Sequence, residues 1–195
     1  MAAIPSSSPR SRTLARGRRI VLRTPTAADE EEFLALRRAS WTFLAPWQAE
    51  SPGLDPLGSA MFERYLRFGA AHARLRLLVC SRRSGAILGS ISLSDIDRVR
   101  GTASVGYWIG ERHARKGKMS EALALVLERV ASRLDLRALE AYVLPENRAS
   151  KGLLAKLGFT RRGTAFDYQV VRGEARDHER WTFTCPSRAS SGNPG

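Results

Sequence analysis

The stretch "HARKGKMSEA" (113–122) decides how the chain is read. Arg115, Lys116 and Lys118 crowd around Gly117, and an apolar-periodic helix starts straight afterwards. Like charges repel, and a helix N-terminus already carries partial positive charge. Such a turn is costly unless an anion lies against it. Helix N-termini also present backbone N–H groups with no partner in the helix, and a glycine lets a ligand come close to the backbone. The turn therefore reads as a phosphate cradle, and the competing reading is a tight strand-to-helix turn with solvated cations. It is not a P-loop, because Met119 follows Gly117-Lys118 and the preceding glycine, Gly110, is seven residues back. A GxGxxG dinucleotide fingerprint is absent as well.

Working outward, "ASVGYWIG" (103–110) reads as the strand before the turn. The helix after it spans 119–134, where Met119, Ala122, Leu123, Val126, Leu127, Val130 and Leu134 recur at three- and four-residue spacing. "RALEAYVL" (137–144) is the next strand, which makes a β-α-β unit over 103–144. "NRASKGLLAKLG" (147–158) is a helix capped by Asn147 and ended by Gly158. Two strands around Gly173 close the chain. Upstream, "RIVLRTP" (19–25) is a strand, and Thr26 caps a helix over 27–40 with acids in its first turn. "SWTFLAPWQAESPGLDP" (40–56) is aromatic and proline-rich and is expected to be a loop. A helix fits 58–73, and "LRLLVCS" and "AILGSISLS" flank Ser84-Gly85 as a hairpin. The expected order is β-α-α-β-β-β-α-β-α-β-β, an α/β (α+β) fold with a mixed sheet.

The 195 residues suit a single domain, and the net charge of +13 points to acidic partners. Nucleic acid, a ribosome surface, anionic lipid and a phosphate-rich cofactor all satisfy that charge. Residues 1–18, rich in Ser, Pro and Arg and free of acids, are expected to be a disordered basic tail, with RNA contact as the sharper alternative. Residues 186–195 are expected to be a flexible tail after one domain over 19–185. No apolar run is long enough to span a membrane and no secretory core is present, so a cytoplasmic location is expected. Cys80 and Cys185 lie in apolar runs without CxxC spacing and share no ligand spacing with His72, His113 or His178, so no metal site is expected.

"YWIG", "RKGKMSEA" and "PENRASKGLLAKLGF", in this order and spacing, resemble the GCN5-related N-acetyltransferase (GNAT) superfamily. Within it the chain resembles the RimJ/RimL type, the ribosomal-protein alanine N-acetyltransferases. "FLAPW" (43–47) and "FDYQVVRGEARDH" (166–178) add to the likeness, which covers about residues 18–184. The resemblance implies acetyl-CoA as donor and the GNAT fold, with splayed parallel strands in a mostly antiparallel sheet. Its pyrophosphate motif, Q/R-x-x-G-x-G/A, falls on Ala114 to Met119, and the chain departs from it at both ends. Arg115 stands where many relatives have glycine. The implied cofactor-binding residues are Arg115, Lys116, Gly117, Lys118, Met119 and Ser120, with Arg112 or Lys151 toward the 3′-phosphate.

The resemblance also places the thioester where "GYWIG" and "EAYVL" splay apart. Backbone N–H groups at Tyr107, Trp108 and Ile109 would then face pantetheine and the carbonyl oxygen. Asn147 would contact the pantetheine arm, and Ser150 would be the proton donor to the departing thiolate. Their plainer reading is a helix N-cap, with Asn147 bonding the backbone near Ser150. No general base stands out; Asp167 and Tyr168 are the nearest candidates. An α-amine titrates at about 7.7–8.0 and lysine at about 10.4, which favours N-terminal amines where the base is weak. Phe43 and Trp47, opposite Tyr168, are expected to wall an acceptor slot suited to Ala or Ser, or else to pack as core. The acceptor is then a protein N-terminus, with a small-molecule amine and a non-catalytic ribosome- or RNA-associated role as alternatives.

Overall fold

The computed structural model describes residues 11–69 and 74–185. Thr13–Arg16 (β1) pairs antiparallel with Ile20–Arg23 (β2). This corrects the reading of the whole segment before residue 19 as a disordered tail. Leu14 and Ala15 are only 7% and 4% exposed, and Arg133 donates to the Leu14 carbonyl at 2.9 Å. Two apolar residues are too few to show a period, and only the neighbouring strand makes them a strand. Residues 1–10 and 186–195, the rest of both expected tails, lie outside the described residues.

A 3₁₀ turn over Ala27–Asp29 leads into Glu30–Ala39 (α1). The expected loop after it is largely helical: Trp41–Leu44 (α2) runs into a 3₁₀ turn, Ala45–Trp47, with Pro46 in its first positions. Proline fits a first helical turn because no partner is needed for the N–H it lacks. Ser59–Gly69 (α3) follows. Leu75–Ser81 (β3) and Ile87–Asp97 (β4) form the expected hairpin, and Thr102–Ile109 (β5) pairs with β4 along its length. Lys118–Leu125 (α4) continues through π-helical Val126–Val130 into Ala131–Arg133 (α5), so the single helix expected over 119–134 is interrupted. Ala138–Val143 (β6), Arg148–Lys156 (α6), Thr160–Val171 (β7) and Glu174–Thr184 (β8) complete the chain.

The eight strands form one sheet in the order β1-β2-β3-β4-β5-β6-β8-β7. Every neighbouring pair is antiparallel except β5 and β6. Alternation along β3 feeds two cores. Leu77 and Val79 join α4 residues such as Ala122 and Leu123 on one face. Leu78 and Cys80 join Phe33 of α1 and Phe62 of α3 on the other. Covered on both faces, the sheet is a rigid frame for whatever lies at its β5–β6 seam.

Candidate active site

The seam opens where parallel pairing stops. β5 and β6 are in register only at Thr102–Ser104 with Ala138–Glu140, although β5 runs on to Ile109 and β6 to Val143. Past Ser104 the β6 side of β5 has no strand partner. A cleft of about 110 Å³ occupies the gap, lined by Tyr107, Tyr142, Asn147, Ser150, Gln169 and His178, with Trp47 at one wall. The Tyr107 hydroxyl lies 2.6 Å from Ser150 Oγ. Burial pushes the Tyr107 phenol up to about 12, against the Ser150 hydrogen bond, so it stays protonated. Asn147 Oδ1 accepts the Ser150 N–H at 3.0 Å, which caps α6 and fixes where the serine stands.

The basic turn is built on two left-handed residues, Arg115 (φ 57°) and Gly117 (φ 70°). α4 begins directly after it, and no side chain caps its first N–H groups. Arg19 adds a further cation but ties down the carbonyls of the turn, and Glu121 offsets its charge. Its guanidinium donates to the carbonyls of Lys116 and Gly117 at 3.1 and 3.2 Å and pairs with Glu121 at 2.8 Å. Lys116 Nζ donates to the Arg112 carbonyl at 2.8 Å. Burial lowers the His113 pKa, and the charges of Lys118, Arg112 and Lys116 lower it further. Carbonyls are thus tied on the inner side of the turn, while N–H groups and cations remain for an anion.

A second, larger cavity of about 710 Å³ lies between α1, α2, α3 and strands β4 and β5. Tyr107 is among the residues that line both cavities. Arg37, Trp41, Tyr65, Arg76 and Trp108 are among the walls of the larger one. Arg37 is buried, and burial pulls its pKa down to about 10 against the Tyr65 phenol. Burial likewise lowers the Arg76 pKa.

The acetyltransferase (GNAT) domain family matches residues 19–160. The chain belongs to the GNAT family. The uS5-alanine N-acetyltransferase of Escherichia coli is 35% identical over 103 residues, 51% of this chain and 52% of that protein. An uncharacterised N-acetyltransferase, p20 of Bacillus licheniformis, is 32% identical over 102 residues, 52% of this chain and 57% of that protein. The chain thus matches about half the length of these curated relatives. The structure of Mycobacterium smegmatis RimJ in complex with CoA-disulfide superposes with a TM-score of 0.78 at 26% identity, over 85% of this chain and 81% of that one. Acetyl-CoA is the donor that the GNAT fold implies. The uncapped N–H groups of α4 fit a diphosphate, and the unpaired edge of β5 beside Ser150 fits a thioester arm. Among the described residues no cluster of His, Cys, Asp or Glu could hold a metal ion, and no helix is long and apolar enough to cross a membrane.

Against this GNAT frame the residues singled out from sequence fall into two groups. Tyr107, Asn147, Ser150 and Trp47 are brought together at the cleft. Arg115, Lys116, Gly117, Lys118 and Ser120 sit on the turn or the first turn of α4, but the Met119 side chain is buried in the core, so only its backbone faces outward. The Trp108 side chain packs edge-on to Phe33 at 5.3 Å on the side of the larger cavity, and Ile109 packs on the opposite core. Ile109 keeps its backbone N–H on the open side of β5, whereas Trp108 pairs with Ser90 of β4. Lys151 is tied to Glu179 at 3.4 Å, away from the phosphate role considered for it. Phe43 lines neither cavity, whereas Trp41, two residues earlier, lines the larger one.

The late strand corrects two more expectations. Between Ala165 and Gln169 the register of β7 slips against β8, and Asp167 takes a left-handed φ of 48°. Its backbone N–H bonds Asp177 at 2.9 Å, and its side chain is exposed outside the cleft lining. Tyr168 is not among the cleft lining but touches two residues that are: it stacks on Tyr142 with centroids 4.1 Å apart and meets His178 edge-on at 5.2 Å. Gln169 and His178 enter instead. His178 is buried, and its Nδ1 stands 3.0 Å from the Arg176 carbonyl. A carbonyl accepts only, so Nδ1 carries the proton and Nε2 of the neutral ring is an acceptor. The sequence carried no spacing signal for His178, because the bulge that sets it in the cleft is a property of two paired strands.

Proposed function

We propose that this chain is an acetyl-CoA-dependent N-acetyltransferase whose acceptor is an α-amine, foremost the N-terminal amine of a protein beginning with Ala or Ser. The observation that carries the reading is Tyr107. The residue lines both cavities, and its hydroxyl is 2.6 Å from Ser150, where donor and acceptor would meet. Acetyl-CoA supplies an activated acyl group with a thiol leaving group. Arg115, Lys116, Gly117 and Lys118 hold its diphosphate, and the free edge of β5 from Tyr107 to Ile109 offers backbone N–H groups to the arm and the carbonyl oxygen. Tyr107 donates to Ser150 Oγ, leaving the serine proton directed at the departing sulfur. His178, with Nε2 free to accept, takes the proton released by the attacking amine.

The identity to the uS5-alanine enzyme of E. coli and the likeness to M. smegmatis RimJ support a protein N-terminus as acceptor. The +13 net charge supports a ribosomal surface as its setting. A small-molecule amine is the second reading, favoured by a larger cavity whose about 710 Å³ suits a metabolite. The deciding experiment measures acetyl-CoA-dependent thiol release with peptides differing only in residue one, a peptide whose only amine is an internal lysine, and small amines. Ala and Ser N-termini should be fastest. Equal rates for Ala and Phe N-termini, or faster transfer to lysine, would replace this assignment with the small-amine reading.

A further inference from the structure

The larger cavity holds two desolvated guanidinium groups with no carboxylate to answer them. Arg37 is 6% exposed, and its donors reach only neutral oxygens: Gln48 Oε1 at 2.8 Å and the Pro56 carbonyl at 3.3 Å. Its guanidinium lies 5.7 Å from the Trp41 ring centre and 5.1 Å from that of Trp108. Arg76 enters from β3 with its guanidinium 5.1 Å from the Tyr65 ring, and its Nε is buried without a hydrogen-bond partner. Among the described residues neither arginine forms an ion pair, whereas Arg23, also partly buried, is joined to Asp29. Buried cations are retained where a counter-charge and hydrogen-bond acceptors offset their lost hydration. Aromatic faces offset part of that cost, but they do not satisfy the Arg76 N–H.

We propose that the missing counter-charge arrives with the acceptor: the cavity takes an amine that also bears an oxyanion, a carboxylate or phosphate, held by Arg37 and Arg76. A guanidinium fork matches either group with two parallel N–H bonds. Arg64, Arg74 and Arg172 line the same cavity and make its field positive; Glu50 is the one acid among the lining residues, and it accepts the Gly173 N–H at 2.8 Å. Tyr107 lines this cavity and also the cleft, where its hydroxyl meets Ser150, so an acceptor anchored by its anion would reach the cleft past this residue. The anion can come from an acidic side chain just after a protein N-terminus or from a small amine's own carboxylate or phosphate. This inference rests on the acetyltransferase reading above and narrows its acceptor.

The test uses the full chain at saturating acetyl-CoA with two matched acceptor pairs. One pair is a peptide beginning Ala-Asp-Glu against one beginning Ala-Asn-Gln; the other is 2-aminoethyl phosphate against ethanolamine. The wild type should favour the anionic member of at least one pair by about ten- to a hundredfold in kcat/KM, and the pair that responds identifies the source. Arg76→Gln should remove the preference, Arg76→Lys should keep part of it, and KM for acetyl-CoA should not move. Equal turnover within both pairs, an equal loss of both members in Arg76→Gln, or a raised KM for acetyl-CoA would overturn the proposal while leaving an acetyltransferase. If no amine is turned over, the acetyltransferase reading fails, and melting decides the anion site by itself. In that case 2-aminoethyl phosphate should raise the midpoint of the wild type and not of Arg76→Gln, and no rise in the wild type overturns the site. A merely structural Arg76 would show itself as a lowered midpoint of Arg76→Gln without ligand.

Discussion

Ser150 and Tyr107 are 43 residues apart in sequence and 2.6 Å apart at their hydroxyls. A serine is a poor acid alone, but a phenol held protonated behind it can donate inward and orient the serine proton toward sulfur. Ser150→Ala should therefore lower kcat by roughly a hundredfold, within the range for a lost general acid, with CoA affinity nearly intact. Tyr107→Phe keeps both cavity walls and should lose kcat by less. If Ser150 only shaped the end of α6, its replacement would lower the melting temperature and leave turnover per folded molecule alone, so the two measurements separate the roles. His178→Asn should lower kcat and leave KM for acetyl-CoA unchanged; a merely structural His178 would lower the melting temperature and leave turnover per folded molecule alone.

Among the elements, the turn before α4 and the turn before α1 show opposite electrostatics. At α4 the chain leaves N–H groups uncapped and gathers cations, with Arg19 and Glu121 holding the inner side. Lys118→Glu should raise KM for acetyl-CoA well above the effect of Arg83→Glu, a charge reversal at an exposed site on the β3–β4 turn. At α1 the charge is internally satisfied. Asp29 takes hydrogen bonds from Arg23 at 2.8 Å and from the Thr26 N–H at 2.7 Å. Burial works against this carboxylate, but the Arg23 and Thr26 bonds outweigh it and its pKa lies below the ordinary value. A depressed folded pKa stabilises at neutral pH and loses that contribution as pH falls through it. Asp29→Asn should thus cost about 2 kcal/mol at pH 7, and the gap to wild type should close in acid, below the ordinary aspartate pKa of about 3.9. Denaturant melts across that range check it. Trp47, 39% exposed on the short 3₁₀ turn, borders the cleft. Trp47→Ala should raise KM for peptide and not for acetyl-CoA; a fall in stability alone would mark it as core.

At the scale of the molecule, one rigid sheet separates two cores, with the smaller cleft at the β5–β6 seam and the larger cavity against β4 and β5. Acetyl-CoA should bind across that seam and tie α4, β5 and α6 together. At a hundred times its dissociation constant it should stabilise the fold by about 2.7 kcal/mol. An unchanged melting midpoint at millimolar acetyl-CoA would remove the enzyme reading.

The sequence alone determined whatever depends on local pattern. Apolar spacing located the helix that begins at α4, caps and first-turn acids located α1 and α6, and apolar runs between turn residues located β2 to β8. Chain order through the β-α-β unit was enough for the parallel pair, while the residues at its open end followed from the resemblance to the GNAT superfamily. Tertiary structure decided what depends on partners distant in sequence. Thr13–Arg16 is a strand only because β2 offers it an edge. Trp41 rather than Phe43 lines the larger cavity, because a short helix, not a loop, carries both residues. Asp167 leaves the cleft and His178 enters it because the β7 register slips against β8. Arg37 and Arg76, ordinary members of a basic composition, become notable only when burial strips their water and no carboxylate replaces it. A period along the chain reports which face of an element is apolar. It carries no record of which charge meets which across a cavity, since that pairing is made by folding.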